Sequence, residues 1–335
     1  MITTRFPIST PSHVLALALL VSAPAIAAEA TPQVCDLRVA SGPTGKVYEQ
    51  VVRDVRAVCG SVATLCTLNS QGGVQNLQML SANEAELGLV QIDLLHKLKD
   101  SDSNVAALKA VMPLHANLLH VITLAEGSMV DAQTVPGTGT RVPFTGRKMV
   151  FGKYSDLRGR SVALVGSAQL TAQMLEEHKN FELRFVSADS DEQALALLRK
   201  GDVQAVLSLA GWPMPVLARQ TAGGDLRLAD FDVAARAPYR VVKRNYQNLG
   251  ALNLTMLAVP NLLVSRSFKA DGKQGQRVSA LQACLTQQLD ELKDGRYLAA
   301  WKEIHDPADT QGWPRWGAVP TPVPGATDTR KHASK

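Results

Sequence analysis

Two stretches of this chain follow one plan. NLQMLSANEAELGLVQID (residues 76–93) and ALALLRKGDVQAVLSLAG (residues 194–211) each hold a leucine-bearing helix, a tight polar turn with an acidic residue, and a strand. Each strand ends in small or polar residues. In the second stretch Ser190 can cap the helix, Gln193 can complete a capping box, and Gly201 ends the helix. Leu195 and Leu198 face inward at helical spacing. The same unit met twice calls for two similar α/β lobes. The 335 residues leave room for two lobes of roughly 100–150 residues each.

The neighbouring segments extend both copies. CDLRVAS reads as a strand, residues 46–58 as a helix carrying Val47, Val51, Val55 and Val58, and TLCTLNS as a second strand. GGVQNLQMLS is a helix opening on glycines, and LGLVQI a third strand. Short connections between alternating strands and helices predict a parallel sheet covered by helices. ALKAVMPLHANLLHVITLAEG adds a helix end and a strand over residues 118–124. The second series begins with a strand at residues 161–165, a Gly-Ser turn and a helix, then NFELRFVSA as a strand. LGALNLTMLAVPNLLVSRSF is apolar and β-like and should return the chain toward the first lobe. The expected division is therefore 34–125 plus 250–318 for lobe 1 and 126–249 for lobe 2. Lobe 2 carries an elaborated Gly-, Pro- and Thr-rich loop at 128–153, and a polar, Pro-rich tail at 319–335 reads as disordered.

The N-terminus carries Arg5, then the apolar run HVLALALLVSAPAIAAEA ending in Ala25-x-Ala27. This is the pattern of a secretory signal peptide over residues 1–27, so the mature protein is expected in the periplasm. In that oxidising space the four cysteines read as disulfides rather than ligands. They allow three pairings. Cys59 and Cys66 flank the short connection GSVATL and are the favoured pair, with Cys35 and Cys284 then paired or free. No Cys-x-x-Cys occurs and the seven histidines are dispersed, so no metal site is expected. The net charge of +5 is scattered, and no basic cluster is interleaved with aromatics, which argues against a nucleic-acid partner.

RVASGPTGKVYEQVV (residues 38–52) poses the first chemical question. Aligned on a Walker A loop, Ala40 stands where the first glycine should be and Val47 where a hydroxyl should hold Mg²⁺, so the phosphate-loop mechanism fails at both ends. What remains is a helix start, whose free N–H groups and dipole favour an anion. Ser41 and Thr44 offer hydroxyls there, and Lys46 or Tyr48 a longer reach. NSQGGVQN and GSAQLT repeat the arrangement before two further helices. Helix capping alone would also place Gly and Ser at each turn. The three starts together favour a small carboxylate ligand at the carboxyl ends of the strands. Trp212, after a strand end in AGWPMP, either walls that cleft or packs as a turn aromatic on the surface. No G-x-S-x-G, H-E-x-x-H or S-x-x-K motif appears, so no catalytic residue is nominated and the chain does not read as an enzyme.

ASGPTGKVYEQV, SQGGVQNLQML, EAELGLVQIDLLH, YSDLRGRSVALVGS, ALALLRKGDVQAVLSLAGWP and NYQNLGALNLTMLAVPNLLV occur in this order. Together they resemble the TAXI-type substrate-binding proteins of TRAP (tripartite ATP-independent periplasmic) transporters, over roughly residues 36–316. The resemblance implies a two-lobed, type II-like periplasmic binding protein fold with parallel-rich sheets, flanking helices and a ligand cleft between lobes. It implies a glutamate- or 2-oxoglutarate-like carboxylate, delivered by a monomeric protein without cofactor to a membrane permease. Carried over by position, the ligand loops fall on Ser41, Thr44 and Tyr48; on Gly73 and Asn76; on Gln91 and Asp93; and on Ser167 and Trp212. This chain departs from the family pattern at Pro43 and Lys46, and at Ser167-Ala168-Gln169-Leu170. Lys46 becomes the candidate cation for the carboxylate, with Ser41, Thr44 and Ser167 as hydroxyl donors. The alternative is a periplasmic sensor of the same fold that reports occupancy to a membrane kinase.

Overall fold

A computed structural model describes residues 35–131, 145–221 and 223–317. The predicted signal peptide, the predicted tail at 319–335 and residues 132–144 of the predicted loop lie outside the described residues. The first half runs β1 (Leu37–Ala40), α1 (Val47–Cys59), β2 (Leu65–Leu68), α2 (Gly73–Ser81), β3 (Leu87–Gln91), α3 (Ile92–Leu98), α4 (Ser103–Ala107) and β4 (Lys109–Leu124). A small hairpin follows, β5 (Ser128–Val130) with β6 (Arg147–Met149). The second series is β7 (Ser161–Val165), α5 (Ala168–Lys179), β8 (Arg184–Ala188), α6 (Asp191–Lys200), β9 (Ala205–Ala210) and α7 (Pro215–Ala218). It continues through β10 (Leu226–Leu228), β11 (Arg240–Tyr246) and β12 (Ala251–Ser265). Helices α8 (Lys273–Gln287) and α9 (Leu289–Leu292) end the series.

Each repeated unit occupies the same place in its lobe. Strands β2, β1 and β3 run parallel in that order, and β8, β7 and β9 do the same. Beside β3 lies β12, antiparallel, and beside β9 lies β4, also antiparallel. Strands β4 and β12 pair with each other and belong to both lobes, so the described strands other than the β5–β6 hairpin join in one mixed sheet. The architecture is a two-lobed α/β arrangement, a mixed sheet with flanking helices. The strand expected at 118–124 is longer than the sequence pattern suggested, running from Lys109. Pro113 had masked it, because proline cannot donate to a ladder and usually ends a strand. Here Pro113 and Pro260 both fall where the β4–β12 register shifts, the irregular stretch where a missing donor costs least.

The helices form where apolar spacing meets a cap. Val51, Val52, Val55 and Cys59 bury the inner face of α1. The Ser190 hydroxyl accepts from the Gln193 amide at 3.1 Å, and Gln193 Oε1 accepts from the Asp189 amide at 2.6 Å, so the capping box closes one residue earlier than expected. Gly201, at φ +81°, ends α6 in the left-handed conformation. Apolar clusters line both sheet faces in each lobe. A buried carboxylate that the sequence does not advertise secures the chain's return to lobe 1. Asp54 accepts hydrogen bonds from the Leu298 amide, the Trp301 indole and the Gln50 side chain.

The cysteine pairing corrects the sequence expectation. Cys35 bonds Cys66, and Cys59 bonds Cys284, with Cα–Cα distances of 5.6 and 6.0 Å. Closeness in sequence misled, because α1 carries the wholly buried Cys59 toward α8. Cys66 sits in β2, alongside the start of β1. Peptide mapping of the unreduced protein is expected to recover these two linked pairs. The Cys59–Cys284 bond spans 225 residues and the Cys35–Cys66 bond 31. Cys59→Ala with Cys284→Ala should therefore cost about 2–4 kcal/mol in urea unfolding, and the other pair less.

Candidate functional site

The starts of α1, α2 and α5 follow the carboxyl ends of β1, β2 and β7. Gly72 initiates α2 at φ +111°, a conformation that side chains other than glycine's resist. Its amide donates to Ser70 Oγ at 3.0 Å, and Ser70 Oγ donates to Asn76 Oδ1 at 2.5 Å. Asn76 Nδ2 then donates to the carbonyls of Ser41 and Leu89, at 2.5 and 2.7 Å. One wholly buried side chain thus ties the ends of β1 and β3 to the first turn of α2. Neither α2 nor α5 has a side-chain cap at its N-terminus.

These two helix starts face each other across a cavity of about 500 Å³. Lobe 1 contributes Gly73, Gln91 and Leu94 among its walls, and lobe 2 contributes Gly166, Ser167 and Leu170. Gln91 is 2 % exposed and its Nε2 has no hydrogen-bond partner. A buried amide donor left idle costs roughly 1–3 kcal/mol.

Of the residues nominated from sequence, Gly73, Gln91 and Ser167 therefore meet in one cavity. The others lie elsewhere. The buried Ser41 hydroxyl donates to the Leu68 carbonyl at 3.3 Å. Thr44 is exposed, and its hydroxyl accepts from Asn69 at 3.0 Å. Lys46 is exposed at the N-cap of α1 and is not part of the cavity lining. Tyr48 donates to Asn261 Oδ1 at 2.6 Å and packs edge-on to His115, while Asn261 Nδ2 donates to the His115 carbonyl. Burial pushes the His115 imidazole down to about 4. Trp212 stays 43 % exposed with the Arg244 guanidinium 5.6 Å from its ring centre, which fits the surface-turn reading.

Asp93 does something the sequence did not suggest. Its carboxylate is fully buried and joins the lobes, accepting from the Thr171 hydroxyl on α5 at 2.7 Å and the Tyr239 hydroxyl at 3.3 Å. The Leu94 amide donates to its other oxygen. Beside it, Lys97 of α3 pairs with Glu177 of α5 at 2.5 Å, an exposed ion pair worth little by itself. Burial raises the Asp93 carboxyl above the usual carboxylate range, and the three donors pull it back only in part. Thr171 and Tyr239 carried no functional signal in the sequence. Only their approach to Asp93 reveals them.

No family model and no curated protein matches the chain. Among solved structures it is similar to an amino acid ABC transporter substrate-binding protein, AbpA, from Streptococcus pneumoniae bound to L-arginine. That pair is 14% identical, with 79% of this chain and 94% of that one covered and a TM-score of 0.46. It is also similar to the VFT2 domain of BvgS from Bordetella pertussis, at 15% identity, 80% and 92% coverage and a TM-score of 0.42. Against the BvgS periplasmic domain the identity is 14% and the TM-score 0.40, with 75% of this chain covered but only 40% of the BvgS domain's length. Similarity at this level says nothing about ligand or partner.

Because folding raises the Asp93 pKa, the native state holds this proton more tightly than the unfolded chain does. Its contribution to stability is then full below the ordinary carboxylate pKa of about 3.9 and is lost as pH rises through the folded value. Urea unfolding of the wild type and of Asp93→Asn across pH 3.5–8 should show the wild type losing ground from about pH 4 upward and then levelling. A pH-independent difference would refute the assignment. Asn76→Ala should lower stability by about 3 kcal/mol at any pH, since it strands two buried carbonyls and a hydroxyl.

Proposed function

We propose that the protein is an exported solute-binding protein that captures a small carboxylate between its lobes and presents it to a TRAP-type permease. The observation that carries this reading is the 500 Å³ cavity whose walls come from both lobes, with uncapped helix starts on each side and the idle Gln91 amide between them. A carboxylate there accepts from N–H groups at the positive ends of two helices, and no side-chain cation is required. Because each lobe supplies part of the wall, ligand contacts are complete only when the lobes are together, so binding favours the closed arrangement. The Asp93 contacts with Thr171 and Tyr239 stabilise the same arrangement. The permease belongs to this proposal through the sequence resemblance.

Calorimetry of the exported, disulfide-bonded protein against a panel of small carboxylates is expected to find at least one that binds in the micromolar range or tighter. Gln91→Leu should weaken that ligand about tenfold with an unchanged circular dichroism spectrum. If the whole panel fails on folded protein, the capture reading is wrong.

A further inference from the structure

The cavity's side chains sort one kind of anion from another. Six glutamines line it: Gln71, Gln75 and Gln78 around α2, Gln91 at the end of β3, and Gln169 and Gln173 on α5. Among the described residues that form the wall there is no Lys, Arg, His, Asp or Glu. The nearby ions are already committed. Lys97 is paired with Glu177, and Asp93, two residues beyond Gln91, is buried against Thr171 and Tyr239.

The positive potential in the cavity therefore comes from backbone. Each helix N-terminus carries roughly half an elementary charge, so the starts of α2 and α5 together offset about one negative charge. A second carboxylate would enter without a counter-ion, at a cost of several kcal/mol. An ammonium or guanidinium group would face two positive helix ends and find no carboxylate on the wall. A glutamine amide both donates and accepts, and so suits hydroxyl and carbonyl groups. One of these amides, Gln91 Nε2, is buried without any partner in the protein.

We infer that, given the capture reading above, the ligand is a small monocarboxylate whose remaining polar groups are uncharged hydroxyls or carbonyls. Dicarboxylates and amino acids are rejected. This differs from the glutamate- or 2-oxoglutarate-like carboxylate that the sequence resemblance implies, since both of those carry a second carboxylate.

The test is calorimetry on the full exported chain with D-gluconate and D-glycerate as hydroxy-monocarboxylates, succinate and 2-oxoglutarate as dicarboxylates, and L-glutamate and L-arginine as amino acids. A hydroxy-monocarboxylate is expected to bind at least about 100-fold tighter than any of the other four probes. Gln173→Arg, which places a cation on the wall, is expected to narrow that gap at least about tenfold in favour of the dicarboxylates. Tighter binding of 2-oxoglutarate, succinate or an amino acid by the wild type overturns this inference and leaves the capture reading standing. Binding of none of the six overturns both.

Discussion

The structure depends on the antiparallel pairing of β4 with β12. Each strand starts in one lobe and finishes in the other, and each lies beside the third parallel strand of the lobe it enters. The lobes therefore share backbone hydrogen bonds rather than a flexible tether. The starts of α2 and α5, one from each lobe, line a common cavity. The two prolines at the irregular stretch of the β4–β12 pair mark where the ladder is already interrupted. Pairing is weakest there, and relative motion of the lobes would cost least.

Most polar side chains around the cleft hold the fold. Asn76 and Ser41 spend their hydrogen-bonding groups on strand ends, and Asp93 and Tyr48 on neighbours that cross or border the lobe junction. A buried polar atom must be satisfied, and in a compact cleft the nearest partner is usually protein. Gln91 Nε2 is one of several buried side-chain atoms without a partner among the described residues, and Gln91 lies on the cavity wall. Two residues thus separate a hydrogen-bonded carboxylate from an unpartnered amide. Their difference lies in which elements pack against them, not in residue type.

The opening loop illustrates the same point. Ser41 to Tyr48 is a polar, glycine-containing helix start, and its backbone leads from β1 into α1. The Ser41 and Tyr48 side chains turn to β2 and β12 instead, while Lys46 stays in solvent. The loop before α2 and the loop before α5 read no more chemically in sequence, yet these two enclose the cavity.

By itself the sequence determined the local units. Valine and leucine spacing set α1 and α6, Ser190 and Gly201 set the ends of α6, and the repeated helix-turn-strand plan required two matching lobes. These are short-range properties, decided by residues within a turn or two of one another. Tertiary structure alone decided the cysteine partners, the full length of β4 beneath its proline, the inter-lobe role of Asp93 and the cavity that gathers six glutamines. Each of these joins residues distant in sequence, and their meeting depends on how the sheet folds back through β12. No local pattern of residues encodes that distance.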